Sequence, residues 1–153
     1  MADPERRLTE LGIELPGVVT PAGSYVPAVR TGALVYTAGQ VPKRSGELVA
    51  TGKVGAEVDV ELAQECARQC ALNALAAVKA EVGDLSAVTR VVKVLVFVAS
   101  APDFTAQPQV ANGASDLLGE VFGDSGRHAR SAVGVAVLPL DAPVEVELVV
   151  EVS

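Results

Sequence analysis

Apolar residues recur along this chain with two periods, and the periods divide it into elements. After Asp3 and Pro4, residues 5–11 read as a short capped helix stopped at Gly12. Residues 18–24 hold Pro21 and Gly23 and read as a loop. Residues 25–30 and 34–38 are strand-like, and Thr31-Gly32-Ala33 forms the turn of a hairpin between them. Gly39, Pro42 and Gly46 break the next stretch, and residues 47–50 read as a third short strand. Residues 59–82 carry the longest helical pattern. Leu62, Cys66, Cys70, Ala74 and Ala77 mark one stripe, and Ala63, Ala67, Ala71, Leu75 and Val78 widen it. So wide an apolar arc predicts a helix packed under a sheet, closed by Gly83.

Residues 88–99 form a nearly unbroken β-branched run, which reads as a strand buried on both faces. Residues 109–122 are helical again, with Val110, Ala114, Leu117, Leu118 and Val121 on the apolar side and Gly123 at the end. Two strands close the chain, at 131–138 and 144–152, with a turn at 139–143. In the last strand Val144, Val146, Leu148 and Val150 alternate with Glu145, Glu147 and Glu151, so one face is buried and the other acidic. The order is a helix followed by β-β-β-α-β-α-β-β. It predicts a single α+β domain with one mixed sheet and helices on one face. The other face, if equally rich in Val, needs an oligomeric partner.

Composition sharpens this picture. Half of the 153 residues are hydrophobic, with 28 Val and 24 Ala against 3 Phe, 2 Tyr and no Trp. Strand formers and helix formers in that proportion exclude disordered and collagen-like chains. A chain of this length buries roughly 70% of its extended surface and needs no staple. The net charge of −7 repels phosphate backbones, and the aromatics are too few for a base-stacking platform, so nucleic acid is disfavoured as a partner. One histidine, His128, excludes a multi-His metal site within the chain. Cys66 and Cys70 stand one helical turn apart and read as small buried apolar residues rather than a dithiol or metal half-site. Residues 1–10 are charged and lack the apolar core of a signal peptide, and no apolar run reaches membrane-spanning length. A cytoplasmic protein without a membrane anchor is expected.

Candidate chemistry is sparse. Neither a phosphate-loop lysine motif nor Gly-x-Gly-x-x-Gly occurs. The serines are scattered without a nucleophile elbow, and a hydrolytic triad would need Ser131 or another serine brought to His128. The segment 126–133 stands out, because Arg130 at a strand start can project a planar, permanently charged fork towards a carboxylate. The plainer reading is a surface arginine paired with one of 19 acids.

Three stretches carry a resemblance. Ala129-Arg130-Ser131-Ala132-Val133, then Leu138-Pro139 and Val144-Glu145-Val146-Glu147, resemble the C-terminal signature of the RidA (YjgF) family. Tyr25-Val26-Pro27-Ala28-Val29, Gly32 and the run from Val35 to Pro42 resemble its N-terminal signature, and Val94 to Val98 its central strand. The resemblance spans residues 25–152 and leaves 1–24 as an N-terminal extension. It implies a chorismate-mutase-like fold: a mixed sheet with two helices on one face, assembled as a homotrimeric barrel with a site at each subunit interface. It also implies hydrolysis of 2-imino acids and enamines to 2-keto acids and ammonia, without metal or cofactor. By the same resemblance Arg130 binds the substrate carboxylate and Glu145 directs water. Tyr25 lines the site from the neighbouring subunit, Gly39 and Ala132 bring backbone to the ligand, and Asn112 matches a helix asparagine.

The departures from the family pattern lie around these positions. Ala132 replaces a common cysteine, Ala38 a common serine, and His128 a common proline; the 101–128 region is longer. They indicate a divergent subgroup with altered pocket walls. Two other readings stand beside the enzyme: a non-catalytic trimer that binds a small carboxylate or metabolite, and an endoribonuclease, which the negative charge disfavours.

Overall fold

Strand β7 (Val144–Val152) shows how the sequence sorts the sheet: Val144, Val146, Leu148, Val150 and Val152 are buried, while on the opposite face Glu145, Glu147 and Val149 are half-buried and Glu151 is exposed. The computed structural model describes residues 3–153; the first two residues of the N-terminal extension lie outside the described residues. Around β7 stand β1 (Ala28–Thr31), β2 (Leu34–Thr37), β5 (Val88–Ala99) and β6 (Ala129–Val135), in the order β1-β2-β7-β5-β6. All neighbours are antiparallel except β5 and β6, which are parallel. The sheet is therefore mixed, as expected.

Helix α2 (Val60–Val82) starts at Asp59, whose carboxylate accepts from the Leu62 N–H at 2.8 Å, and ends at Gly83 with φ 92°. Its Ala-rich stripe packs on β7 and β2. Helix α3 (Gln107–Phe122) links the parallel strands and packs on α2, β5 and β6. Cys66 and Cys70 are buried and free, as expected of small apolar residues. Burial pushes the Cys66 thiol up to about 11 and holds Cys70 well above the ordinary range, so neither is a thiolate at neutral pH.

Several expectations need correction. Helix α1 (Pro4–Glu10) forms as predicted, capped by Asp3, but it packs on α3 rather than on the sheet, so the two helices that cover the sheet are α2 and α3. Arg7 donates to the Glu120 carbonyl at 3.0 Å and Lys79 pairs with Glu5 at 3.0 Å, tying the helix down. The expected strand at 47–50 is β4 (Glu47–Leu48), which pairs only with β3 (Lys43–Arg44) in a separate hairpin. The first strand starts at Ala28, not at residue 25, because Pro27 cannot donate to a ladder. The sixth strand spans Ala129–Val135 rather than 131–138. Strand β5 is fully buried on one face only: Val91, Val94, Val96 and Val98 face the helices, while Leu95 and Phe97 are half-buried opposite and Val92 is exposed. A register shift between Val91 and Lys93 inserts Val92 as a bulge and preserves that sorting.

The helix layer depends on one contact. A Cβ at Gly113 in α3 would lie 2.1 Å from the Gln64 carbonyl oxygen of α2, so only glycine lets the two backbones approach this closely. Gly113→Ala should destabilise the protein by roughly 1–3 kcal/mol, lowering Tm by several degrees in calorimetry.

Candidate functional site

Glu145 opens β7 on the face away from the helices. It pairs across strands with Phe97, which pairs in turn with Val133, so its row is apolar on that side. On its other side β2 leaves the ladder. The Thr37 hydroxyl accepts from the Leu148 N–H at 3.0 Å, and Gln40 resumes pairing with Val146 through bonds of 2.8 and 3.0 Å. Ala38 and Gly39 bulge between these anchors, directly beside Glu145. A Cβ at Gly39 would stand 2.9 Å from the Glu145 Cδ and Oε1. The segment beyond is held by Asn73 of α2, which donates to the carbonyls of Val41 and Lys43 at 3.1 and 3.0 Å.

The resulting cavity has a volume of about 340 Å³. Glu145, Gly39, Gln40 and Lys43 line it, with Tyr25 and Leu140 among its apolar walls. Burial, with Glu147 as a smaller contribution, pushes the Glu145 carboxyl above the ordinary glutamate range. No protein group among the described residues makes an ion pair with it. A half-buried carboxylate of raised basicity at the wall of an apolar cavity is suited to take a proton from water.

Arg130 sits elsewhere. It pairs with Val94, a helix-facing residue of β5, so its side chain leaves the sheet on the helix side, along α3. Its Nη1 donates to Asn112 Oδ1 at 2.8 Å and Ser115 Oγ at 3.1 Å, and its Nη2 donates to the Pro108 carbonyl at 3.3 Å. Three of the five guanidinium N–H groups are thus engaged. The Nε–H and one Nη2–H have no protein partner among the described residues. Together they form an edge that matches a carboxylate bidentately. Ala132, two residues on, faces the same side and packs at the margin of the core.

The six residues singled out from the sequence therefore fall into two groups. Tyr25, Gly39 and Glu145 share one cavity; Arg130, Asn112 and Ala132 share the β6–α3 edge. Within one chain the groups do not meet, because β5 lies between β6 and β7 and the two charges leave opposite faces. Arg130 and Asn112 are joined directly by a hydrogen bond. The plain reading of Arg130 as an ion-paired surface residue fails, since its partners are neutral. Sequence reading missed Ser115, although it stands one helical turn from Asn112 on the same face. It also missed the cavity wall formed by Val19–Ala22 and by Pro139 and Leu140, for which no motif exists. Among the described residues no cluster of three or more metal-ligating side chains occurs, and no helix is long and apolar enough to cross a membrane.

Comparison with known proteins places this geometry among relatives. Residues 5–152 match the family model described as "YjgF/chorismate_mutase-like, putative endoribonuclease". Protein TCP17 of Trypanosoma cruzi is 50% identical over 95% of this chain and 92% of its own length. The 2-iminobutanoate/2-iminopropanoate deaminase of Dermatophagoides farinae is 36% identical over 92% of this chain and 95% of its own. Among solved structures, Atu1372 of Agrobacterium tumefaciens, a protein of unknown function, is 50% identical and superposes with TM-score 0.89 over 97% of this chain and 91% of its own. TdcF of E. coli, solved with bound serine, is 28% identical with TM-score 0.62 over 90% and 93%.

The tight seat of Glu145 against Gly39 is testable. Gly39→Ala should leave Tm within a few degrees, since the carboxylate end of a flexible side chain can move aside. It should also displace Glu145 from its half-buried position. NMR titration should then show the Glu145 carboxyl returning towards the ordinary glutamate range.

Proposed function

We propose, from the premise that this chain belongs to the YjgF/chorismate mutase-like family, that it hydrolyses reactive 2-imino acids to 2-keto acids and ammonia at a site shared between subunits of a homotrimer. The observation that carries this reading is the split just described. A guanidinium with a free bidentate edge and an unpaired, basic carboxylate lie on opposite faces of one chain. The two are complementary halves. A contact between the open sheet face of one copy and the β6–α3 edge of the next joins them. Such a contact uses two different patches, and repeating it closes a ring. The open face has the surface for it, with Val29, Tyr36, Val92 and Val133 exposed. The imine deaminase relative at 36% identity supports the reaction class, and the serine bound to TdcF supports a small amino-acid-like ligand.

In this reading Arg130 holds the substrate carboxylate through its Nε–H and Nη2–H. That places the imine carbon over the cavity of the neighbouring copy. Glu145 removes a proton from water as the water oxygen adds to the imine carbon. The proton passes to the nitrogen to give a carbinolamine; the hydroxyl proton then follows to the nitrogen by way of Glu145 as the carbon–nitrogen bond breaks, so that ammonia leaves and the carbonyl forms. The balance is one imino acid and one water giving one keto acid and one ammonia. No redox step occurs. The net charge of −7 counts against an RNA substrate.

The test is ammonia release from imines generated by an amino-acid oxidase. Arg130→Ala should lower kcat/KM by at least about a hundredfold, and Glu145→Gln by roughly 10²–10⁴. Equal mixing of the two variants, by unfolding and refolding together, should restore activity to roughly a quarter of wild type, since one interface in four then carries both intact groups. No restoration would rule out the shared site. Because Glu145 must be ionised to act and its carboxyl is raised, kcat/KM should fall with decreasing pH at values above the ordinary glutamate range.

A further inference from the structure

His128 stands where the resembled family commonly has proline, and nothing in the reaction above uses it. Its surroundings fix the tautomer of its neutral ring. Nδ1 lies 2.6 Å from the Gly126 carbonyl, which can only accept, so Nδ1 carries the ring proton. The neutral ring then presents Nε2 as an acceptor. Ser115 Oγ lies 2.9 Å from it and donates its hydroxyl proton. With that proton committed, the lone pairs of Ser115 Oγ face Arg130, whose Nη1 donates at 3.1 Å. Each hydrogen bond in this series, from the Gly126 carbonyl through His128 and Ser115 to Arg130, then runs in one direction only.

The anchor at the far end is rigid. A Cβ at Gly126 would lie 2.4 Å from the Leu118 carbonyl oxygen, so the turn carrying Gly126 is pressed onto the backbone of α3. His128 is thus referenced to α3 at one end and orients a hydroxyl of α3 at the other. The effect on Arg130 is specific. Ser115 and Asn112 together occupy both Nη1 protons, which turns the guanidinium so that its Nε–H and Nη2–H edge is the one left free.

We propose that Ser115 and His128 are positioning residues that hold Arg130 with its carboxylate-binding edge presented. His128 fixes the hydroxyl direction of Ser115, and Ser115 fixes the guanidinium. A Ser–His pair at this distance also has the layout of a nucleophile and its base. The structure favours positioning, because the serine oxygen already accepts from a guanidinium and sits in the middle of a helix, away from the Glu145 cavity. The inference rests on the role given to Arg130 above.

The experiment measures kcat and KM for imine hydrolysis, and calorimetric binding of a small 2-keto acid, with Ser115→Ala, Ser115→Thr, His128→Ala and His128→Gln beside Arg130→Ala. Ser115→Ala should raise KM and weaken keto-acid binding roughly tenfold, the scale of one lost hydrogen bond to a charged group, while kcat changes less than threefold. Ser115→Thr keeps the hydroxyl and should restore most of the affinity. His128→Ala should raise KM by a smaller factor, and His128→Gln, whose amide oxygen can accept from Ser115, should recover part of it. An unchanged KM in Ser115→Ala, with Arg130→Ala inactive, overturns this inference and leaves the imine reading standing. A fully active Arg130→Ala overturns that reading instead. Stoichiometric labelling of Ser115 by an organophosphonate, lost in His128→Ala, would also overturn the positioning role, because it would make the serine a nucleophile.

Discussion

The parity of β-strand residues is the constraint on which the rest of this structure depends. Side chains alternate faces along a strand, and cross-strand partners share a face. Glu145 belongs to the row of Phe97 and Val133, away from the helices, whereas Arg130 belongs to the row of Val94 and Leu148, towards them. A shift of one residue in either pairing would carry the charge to the other face. The burial of alternate valines in β5 and β7 prevents it, since a slip would expose the whole core set. The positions of the two charges are therefore set by hydrophobic sorting rather than by their attraction for one another.

The helix layer extends this control to the guanidinium. Arg130 reaches past the sheet edge to α3, so its orientation depends on how deeply α3 sits. Gly113 allows α3 to lie against the backbone of α2, and the Gln64 side chain donates across the same crossing to the Gln109 carbonyl at 2.8 Å. The first turns of α3 supply the Pro108 carbonyl and Asn112, two of the groups that hold Arg130. Core packing between two helices and the placement of a surface cation are thus one problem.

Much of this was legible in the sequence where a period was long. The alternation in residues 144–152, the apolar arc of α2 and its Asp59 and Gly83 boundaries all correspond to observed elements. Errors arose where period and environment separate. The β-branched run of β5 reads as buried on two faces, because valine is equally at home in a core and on a face awaiting a partner. The strand ends at residues 25 and 138 were overextended, since apolar content continues beyond the ladder. For the site, Arg130, Glu145 and Gly39 could be selected from motif resemblance, but their separation could not, because it follows from register. Ser115 was within reach of helical spacing from Asn112. The cavity wall from residues 19–22 was not, because an irregular segment has no period to read.

Dividing the charges between two faces also answers a chemical difficulty. A guanidinium free to swing would pair with any nearby carboxylate, and the pair would lower the basicity of the carboxylate while occupying the cation's donors. Both functions would be lost before substrate arrived. In this chain Arg130 spends three N–H groups on neutral acceptors of α3, which leave its charge uncompensated and its direction fixed. Glu145 is kept basic by burial and by Glu147, and no cation among the described residues pairs with it. In the shared site proposed above, where the halves meet between copies, the restraint on the arginine would keep the two groups from collapsing onto one another. Under that proposal a substrate carboxylate would neutralise the cation, and the glutamate would remain free to act on water. The scarcity of histidine, cysteine and aromatic residues is consistent with such a site, because the reaction asks only for a held cation, an unpaired carboxylate and a cavity that admits water.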